Sequence, residues 1–195
     1  MYWDPLATIG MSAEWPLVIY PQSRLGPSAD YLRGAWADKD WRNVPGPFYG
    51  AGTDNCGTGR LNAPGHVIYE DCFAEVVYRQ PRTPHEVHLL LSAAYSDPFC
   101  HYACDGDDHW TLSLVRDWWA DRDRLLAWIH TMGEEWSVSA SADDREAAAG
   151  LRDYAAYVSG ALETHLREYG FWLEYRRPAT PGEALPDLGP ALTEQ

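Results

Sequence analysis

The chain has 195 residues and carries 29 acids against 15 basic residues, a net charge of −14, with 46% apolar residues and 10 Trp. This composition excludes a collagen-like or disulfide-dense chain and is too apolar for a wholly disordered one. The charge excludes the basic stripe that nucleic acid requires and disfavours anionic membrane surfaces, and it favours cations and basic protein partners.

The N-terminus, Met1-Tyr2-Trp3-Asp4-Pro5, has neither a basic stretch nor an apolar core of a secretory signal, which places the chain in the cytoplasm. Met11 could be an alternative start, and residues 1–14 read as an N-terminal extension. Val18-Ile19-Tyr20 reads as a short edge strand ended by Pro21. Ser28 then caps a predicted helix, with Leu32, Ala35 and Trp36 on one face and Pro45-Gly46-Pro47 as its stop. Residues 45–65 hold six Gly and three Pro without any period, which reads as a long loop.

His66–Tyr69 and Phe73–Tyr78 read as two strands joined by a turn at Glu70-Asp71-Cys72. Thr83-Pro84-His85-Glu86 is a helix start: Thr83 caps, Pro84 takes the first helical position and Glu86 reaches back. Val87, Leu90, Leu91 and Ala94 form the apolar face, and Asp97-Pro98 ends it. A second helix opens at Thr111, striped by Leu114, Val115, Trp118, Trp119, Leu125, Leu126 and Ile129, with a bend where Ala120–Arg124 interrupts the stripe. A third runs from about Asp143 to Tyr169, weakened at Gly150 and Gly160. From Pro178 the chain is Pro-rich and acidic without apolar period, and residues 178–195 read as a disordered tail. The expected fold is therefore α+β and mainly helical: three or four helices packed with a small antiparallel β element, in a single domain over residues 15–177.

The cysteines, Cys56, Cys72, Cys100 and Cys104, are spaced C-x15-C-x27-C-x3-C. Cys100 and Cys104 fall in the range of a zinc knuckle, and Cys56 or His109 could complete a zinc site. The runs typical of iron–sulfur clusters are missing, so that cofactor ranks below zinc. The most chemically loaded stretch is Cys104-Asp105-Gly106-Asp107-Asp108-His109-Trp110. Its D-x-D spacing resembles part of a calcium loop, but Arg116 stands where the twelfth-position Glu belongs. Acids ahead of Thr111 also suit a helix N-terminus.

Residues 97–123 hold seven acids and two arginines, interleaved with Trp110, Trp118 and Trp119. Carboxylates pair with guanidinium groups and indoles anchor interfaces, so this stretch is a candidate surface for an Arg- or Lys-rich partner. Its candidate binding residues are Asp105, Asp107, Asp108, His109, Trp110, Asp117, Trp119 and Asp121. The Gly-rich loop adds Tyr49 and Asp54, which with Asp105 and His109 could line a small-molecule enzyme site between residues 45–65 and 102–110. Cys56 in that loop is a thiol that a distant His could activate. The loop lacks the Lys of a phosphate cradle, and the chain holds no complete catalytic motif.

Five stretches resemble a known group. These are Arg33-Gly34 with Trp36, Lys39–Arg42, Val44–Gly50, Arg79–Thr83 and Tyr102–Asp107. Over most of residues 15–177 they resemble small acidic actinobacterial proteins that genomes often label "ferredoxin". The resemblance implies an actinobacterial host and brings no assigned active residues. The charge, the Trp-rich acidic stretch and the lack of a complete catalytic motif lead to a cytoplasmic, acidic, non-catalytic binding protein that masks or regulates a basic protein partner, immunity-protein-like against a toxin domain. A metal protein and a small-molecule enzyme are the alternatives.

Overall fold

A computed structural model describes residues 1–189. It is about 48% helical, with eight α-helices and two small two-stranded antiparallel sheets among the described residues. The mainly helical α+β class holds, and the helix count corrects the expected three or four. The chain divides into two compact units: residues 4–106, and residues 107–189 joined by Met1–Trp3.

In the unit of residues 4–106, α1 spans Leu6–Ile9, and single 3-10 turns follow at Ser12–Glu14, Ser28–Asp30 and Trp36–Asp38. The helix expected after Ser28 does not form. Its hydroxyl makes no cap, and the backbone is drawn instead against residues 100–102. Arg33 N donates to Cys100 O at 3.0 Å and Gly34 N to Tyr102 O at 2.8 Å. A Cβ on Gly34 would stand 2.5 Å from the His101 carbonyl oxygen, so only glycine fits that approach. Val18-Ile19-Tyr20 is not a strand either; it is exposed, and Pro16 and Arg24 form an isolated bridge across it.

The expected hairpin is present as β2 (Val67–Tyr69) and β3 (Glu75–Val77), all six residues buried, with Phe73 turning the chain at φ 67°. Within the expected loop, β1 (Tyr49–Gly50) pairs with β4 (Tyr102–Ala103), and α2 spans Gly59–Asn62. The next helix, α3 (Pro84–Ser96), begins as its sequence specifies. Thr83 Oγ1 accepts from Glu86 N, while the Glu86 carboxylate accepts from Arg82 N rather than from the cap amide itself. Val87, Leu90, Leu91 and Ala94 lie on its buried face.

Residues 42–51 are all buried although they form little regular structure. A buried irregular segment must still satisfy its backbone. Two amide side chains do this. Asn43 Nδ2 donates to Asp40 O and Gly50 O, each at 2.9 Å, and its Oδ1 accepts from Gly50 N and Val77 N, each at 2.9 Å. Gln80 Nε2 donates to Val44 O and Phe48 O, and its Oε1 accepts from Phe48 N.

The second unit takes up the chain at the short α4 (Gly106–His109), which straddles the division. Beyond it, α5 (Leu112–Ala120) is capped by Thr111 and α6 covers Arg122–Ser137, the bend falling at Asp121 as the stripe predicts. The third expected helix is two: α7 (Ala142–Val158), capped by Ser141, and α8 (Leu162–Tyr175), which ends at Arg176 in the left-handed conformation. The break falls at Ser159–Ala161, around Gly160. Tyr2 packs on Tyr169 and Trp172 with ring centroids 5.5 and 5.1 Å away. Residues 185–188, within the tail expected to be disordered, lie along this unit. Arg167 donates to the carbonyls of Leu185 and Pro186, Arg116 to that of Asp187, and Leu188 is buried. Residues 190–195 of that tail lie outside the described residues.

Candidate functional site

The predicted site residues fall into both units. Tyr49, Asp54, Asp105 and the cysteines belong to residues 4–106; Asp107, Asp108, His109, Trp110, Asp117, Trp119 and Asp121 belong to the other.

In the first unit the β1–β4 pairing does bring the Gly-rich loop to residues 102–105. The contact is a packed one. Tyr49 is buried, and its hydroxyl donates to Asp105 Oδ1 at 2.7 Å. Burial, then the Asp105 carboxylate, pushes the Tyr49 phenol above its ordinary range. Asp54 is buried too: its Oδ1 accepts from Cys56 N, its amide donates to Asp97 Oδ1, and its Oδ2 has no hydrogen-bond partner among the described residues.

Behind this loop stands a carboxyl that the sequence does not single out. Glu75, 1% exposed, accepts from Gly59 N at 2.5 Å through Oε1 and from the Tyr102 hydroxyl at 2.6 Å through Oε2. Burial is the main reason its carboxyl is pushed up to about 7; the two hydrogen bonds oppose that rise, and the charges of Asp54 and Asp97 add to it. Asp97 is held by the amides of Asp54, Phe99 and His101. The arrangement ties β3, the start of α2 and β4 together. A strictly alternating exposed strand would have marked Glu75 as solvent-facing, and only its three-dimensional neighbours reveal its burial.

None of the four cysteines is in a disulfide among the described residues; Cys56 and Cys72 are exposed, Cys100 and Cys104 half-buried. Among the described residues no three His, Cys, Asp or Glu side chains converge on a metal-holding arrangement. The Cys56 thiol is pushed up, first by the charge of Asp54, which disfavours the thiolate. An activated nucleophile has the opposite surroundings, a cation or helix N-terminus.

In the second unit Asp107 lies inside. Its Oδ1 accepts from the buried Tyr169 hydroxyl at 2.7 Å and its Oδ2 from Trp172 Nε1 at 3.4 Å, while Arg176 donates to its carbonyl. This carboxylate is an internal acceptor. Asp107→Ala should lower stability by about 2–3 kcal/mol, because the Tyr169 hydroxyl would be left buried without an acceptor. Thermal unfolding of the variant, with Asp107→Asn as the milder comparison, checks this.

Trp110 and Trp119, the expected anchors, are interior at 7% and 6% exposure. The Trp119 ring also carries the Arg122 guanidinium 4.5 Å from its centroid, and Arg122 donates to the Trp119 carbonyl. Leu112, Val115 and Trp119 form the inward face of α5. The opposite face carries Leu114, 41% exposed, with exposed Asp117, half-buried Trp118 and half-buried Asp121. These four sit at i, i+3, i+4 and i+7, the spacing of a single helical face. Asp121 meets Arg124 at 3.3 Å, Asp108 and Asp123 are exposed, and His109 is half-buried.

No helix among the described residues is long and apolar enough to cross a membrane. No family model, no curated protein and no solved structure matches this chain.

Proposed function

We propose that this chain is a cytoplasmic acidic protein that masks a basic protein partner, as an immunity protein covers a toxin domain, and that the outer face of α5 makes the contact. The observation that carries this is Leu114, 41% exposed, on one helical face with Asp117, Trp118 and Asp121. Apolar surface surrounded by like charge suits a partner that brings both a hydrophobic contact and cations. Residues 107–189 supply the field, with sixteen acids against eight arginines. Charges at the rim of an interface mainly set the association rate and its salt dependence. The apolar pair, Leu114 and Trp118, would act on dissociation. This face moves the anchor from Trp110 and Trp119 to Trp118 and removes the internal Asp107 from the contact.

The test compares capture from an actinobacterial lysate by the wild-type chain and by a variant with Asp117→Asn, Asp121→Asn and Asp123→Asn. At low salt the wild type should retain a protein of basic pI. The triple variant should bind it with an association rate lower by about tenfold and with a flatter salt dependence. Leu114→Ala with Trp118→Ala should speed dissociation. Capture of nothing by the wild type, or equal capture by wild type and triple variant, ends this reading.

A further inference from the structure

Between α6 and α7 lies an open groove of about 510 Å³, lined by Leu126, Ile129, Gly133, Leu151, Arg152 and Ala155 among others. We propose that this groove binds a small molecule with an apolar body and a single carboxylate, the carboxylate meeting Arg152.

Its volume is in the range of small-molecule sites. The floor is apolar: Ile129 and Leu151 are buried, and Leu126 and Ala155 are half-buried beside them. Gly133 sits inside the sixteen-residue α6, where glycine is a poor helix former. Neither packing nor backbone asks for glycine there. A Cβ at this position would meet nothing within 4 Å, and the residue has no positive φ. What the missing side chain does is leave the groove open.

The rim selects the ligand's charge. Glu134, on the α6 wall, stands 3.5 Å from His130 one turn earlier, and both are exposed. Arg152, on the α7 wall, is exposed, and its side chain makes no hydrogen bond or ion pair among the described residues. An unpaired guanidinium beside apolar surface, on a chain of net charge −14, is a local exception that favours a planar anionic head. Glu134 opposes a second anionic group, so a monocarboxylate fits and a dicarboxylate does not. The α5 face plays no part in this site, so either can fail without the other.

The probes are decanoate, decanedioate and decyltrimethylammonium, each titrated below its micelle concentration into the whole chain and followed by calorimetry. Decanoate should bind saturably at one per chain, and at least about tenfold more tightly than either of the other two. Arg152→Gln should weaken decanoate about five- to tenfold while leaving the melting temperature unchanged. Gly133→Leu, which projects a side chain into the open space, should abolish saturable binding; its helix content and melting temperature show whether it remains folded. Should Gly133→Leu misfold, Ala155→Leu is read in its place. Non-saturable decanoate binding, equal or tighter binding of the cationic amphiphile, or decanoate affinity untouched by either Arg152→Gln or the groove-filling variant overturns the proposal. A concentration-dependent dimer that decanoate does not dissociate also overturns it, since the groove would then be an interface between copies.

Discussion

Replacing Asn43 with alanine should remove about 3–4 kcal/mol from the unit of residues 4–106. Asn43 is 0% exposed, and its carboxamide serves four backbone groups at 2.9 Å. Two of these are N–H groups, of Gly50 and Val77, that would be left in the interior without this acceptor. Each buried, unsatisfied donor costs about 1–3 kcal/mol. The carbonyls are less exposed to the loss, since Asp40 O still accepts from Asn43 N and Gly50 O from Asp40 N. Asn43 also does what a neighbouring strand would do. Its Oδ1 takes the Val77 amide while Val44 N donates to the Val77 carbonyl, so residues 43 and 44 together cover the outer edge of β3.

Asn43→Asp should be worse than alanine at neutral pH. An ionised oxygen in the Nδ2 position would face the Asp40 and Gly50 carbonyl oxygens in place of a donor, and the charge would be buried. Lowering the pH restores a proton there, so the aspartate variant should recover part of the loss in acid while the alanine variant should not. Urea unfolding of both variants at pH 5 and pH 8 measures this. A change under about 1 kcal/mol for alanine would mean that the segment finds other partners when Asn43 is removed. Losses of the expected size are a large share of the total stability of a domain, about 5–15 kcal/mol.

Elements whose signals are local were legible in the sequence. Thr83, Pro84 and Glu86 specify the start of α3 within four residues, and the structure uses the Thr83 cap. The hairpin of β2 and β3 follows from two apolar runs and a turn of fixed length. The bend at Asp121 and the break at Gly160 each fall where the sequence weakens the helix. What failed was set at long range. Ser28 carries a correct cap signal, but pairing of residues 33 and 34 with residues 100–102 overrides it. The β1–β4 pair is two residues long on each side, too short for any alternation to show.

The candidate site was legible only in outline, for a geometric reason. In α5 the apolar stripe contains adjacent pairs, Leu114 with Val115 and Trp118 with Trp119. Neighbours on a helix differ by about 100° in direction, so one member of each pair must face outward. Composition does not say which. The inward set is Leu112, Val115 and Trp119, which gives the outer face to Leu114 and Trp118. Asp107 went inside for a similar reason: its acceptor capacity is taken by Tyr169 and Trp172, some sixty residues later in the chain.

Glu75 should make the same unit more stable in mild acid than in mild base. Its carboxyl, ordinarily near 4.5, is pushed up to about 7, first by burial. The folded state therefore holds a proton more tightly than the unfolded state does. That contribution is fully present below pH 4.5, fades as the pH rises through 7, and is gone by about pH 8. A shift of this size corresponds to about 3 kcal/mol across the window. The quantity to measure is the stability of the wild type minus that of Glu75→Gln, at pH 5, 6, 7 and 8, in which contributions common to both chains cancel. Glutamine keeps one oxygen for the Gly59 amide and offers its own N–H to the Tyr102 oxygen; the Tyr102 proton then loses its acceptor, a cost that is the same at every pH and so leaves the pH dependence of the difference unchanged. The glutamine carries no charge to bury. The difference should fall by about 2–3 kcal/mol between pH 5 and pH 8, part of the contribution being already lost at pH 5, so that the glutamine variant gains on the wild type as the solution becomes basic. The Asp54 and Asp97 charges contribute to the rise, so Asp97→Asn should shrink the pH-dependent difference provided the loop still folds. A difference that stays flat over this range would show that Glu75 is hydrated or ion-paired in solution, and that the clamp between β3, α2 and β4 does not depend on its proton.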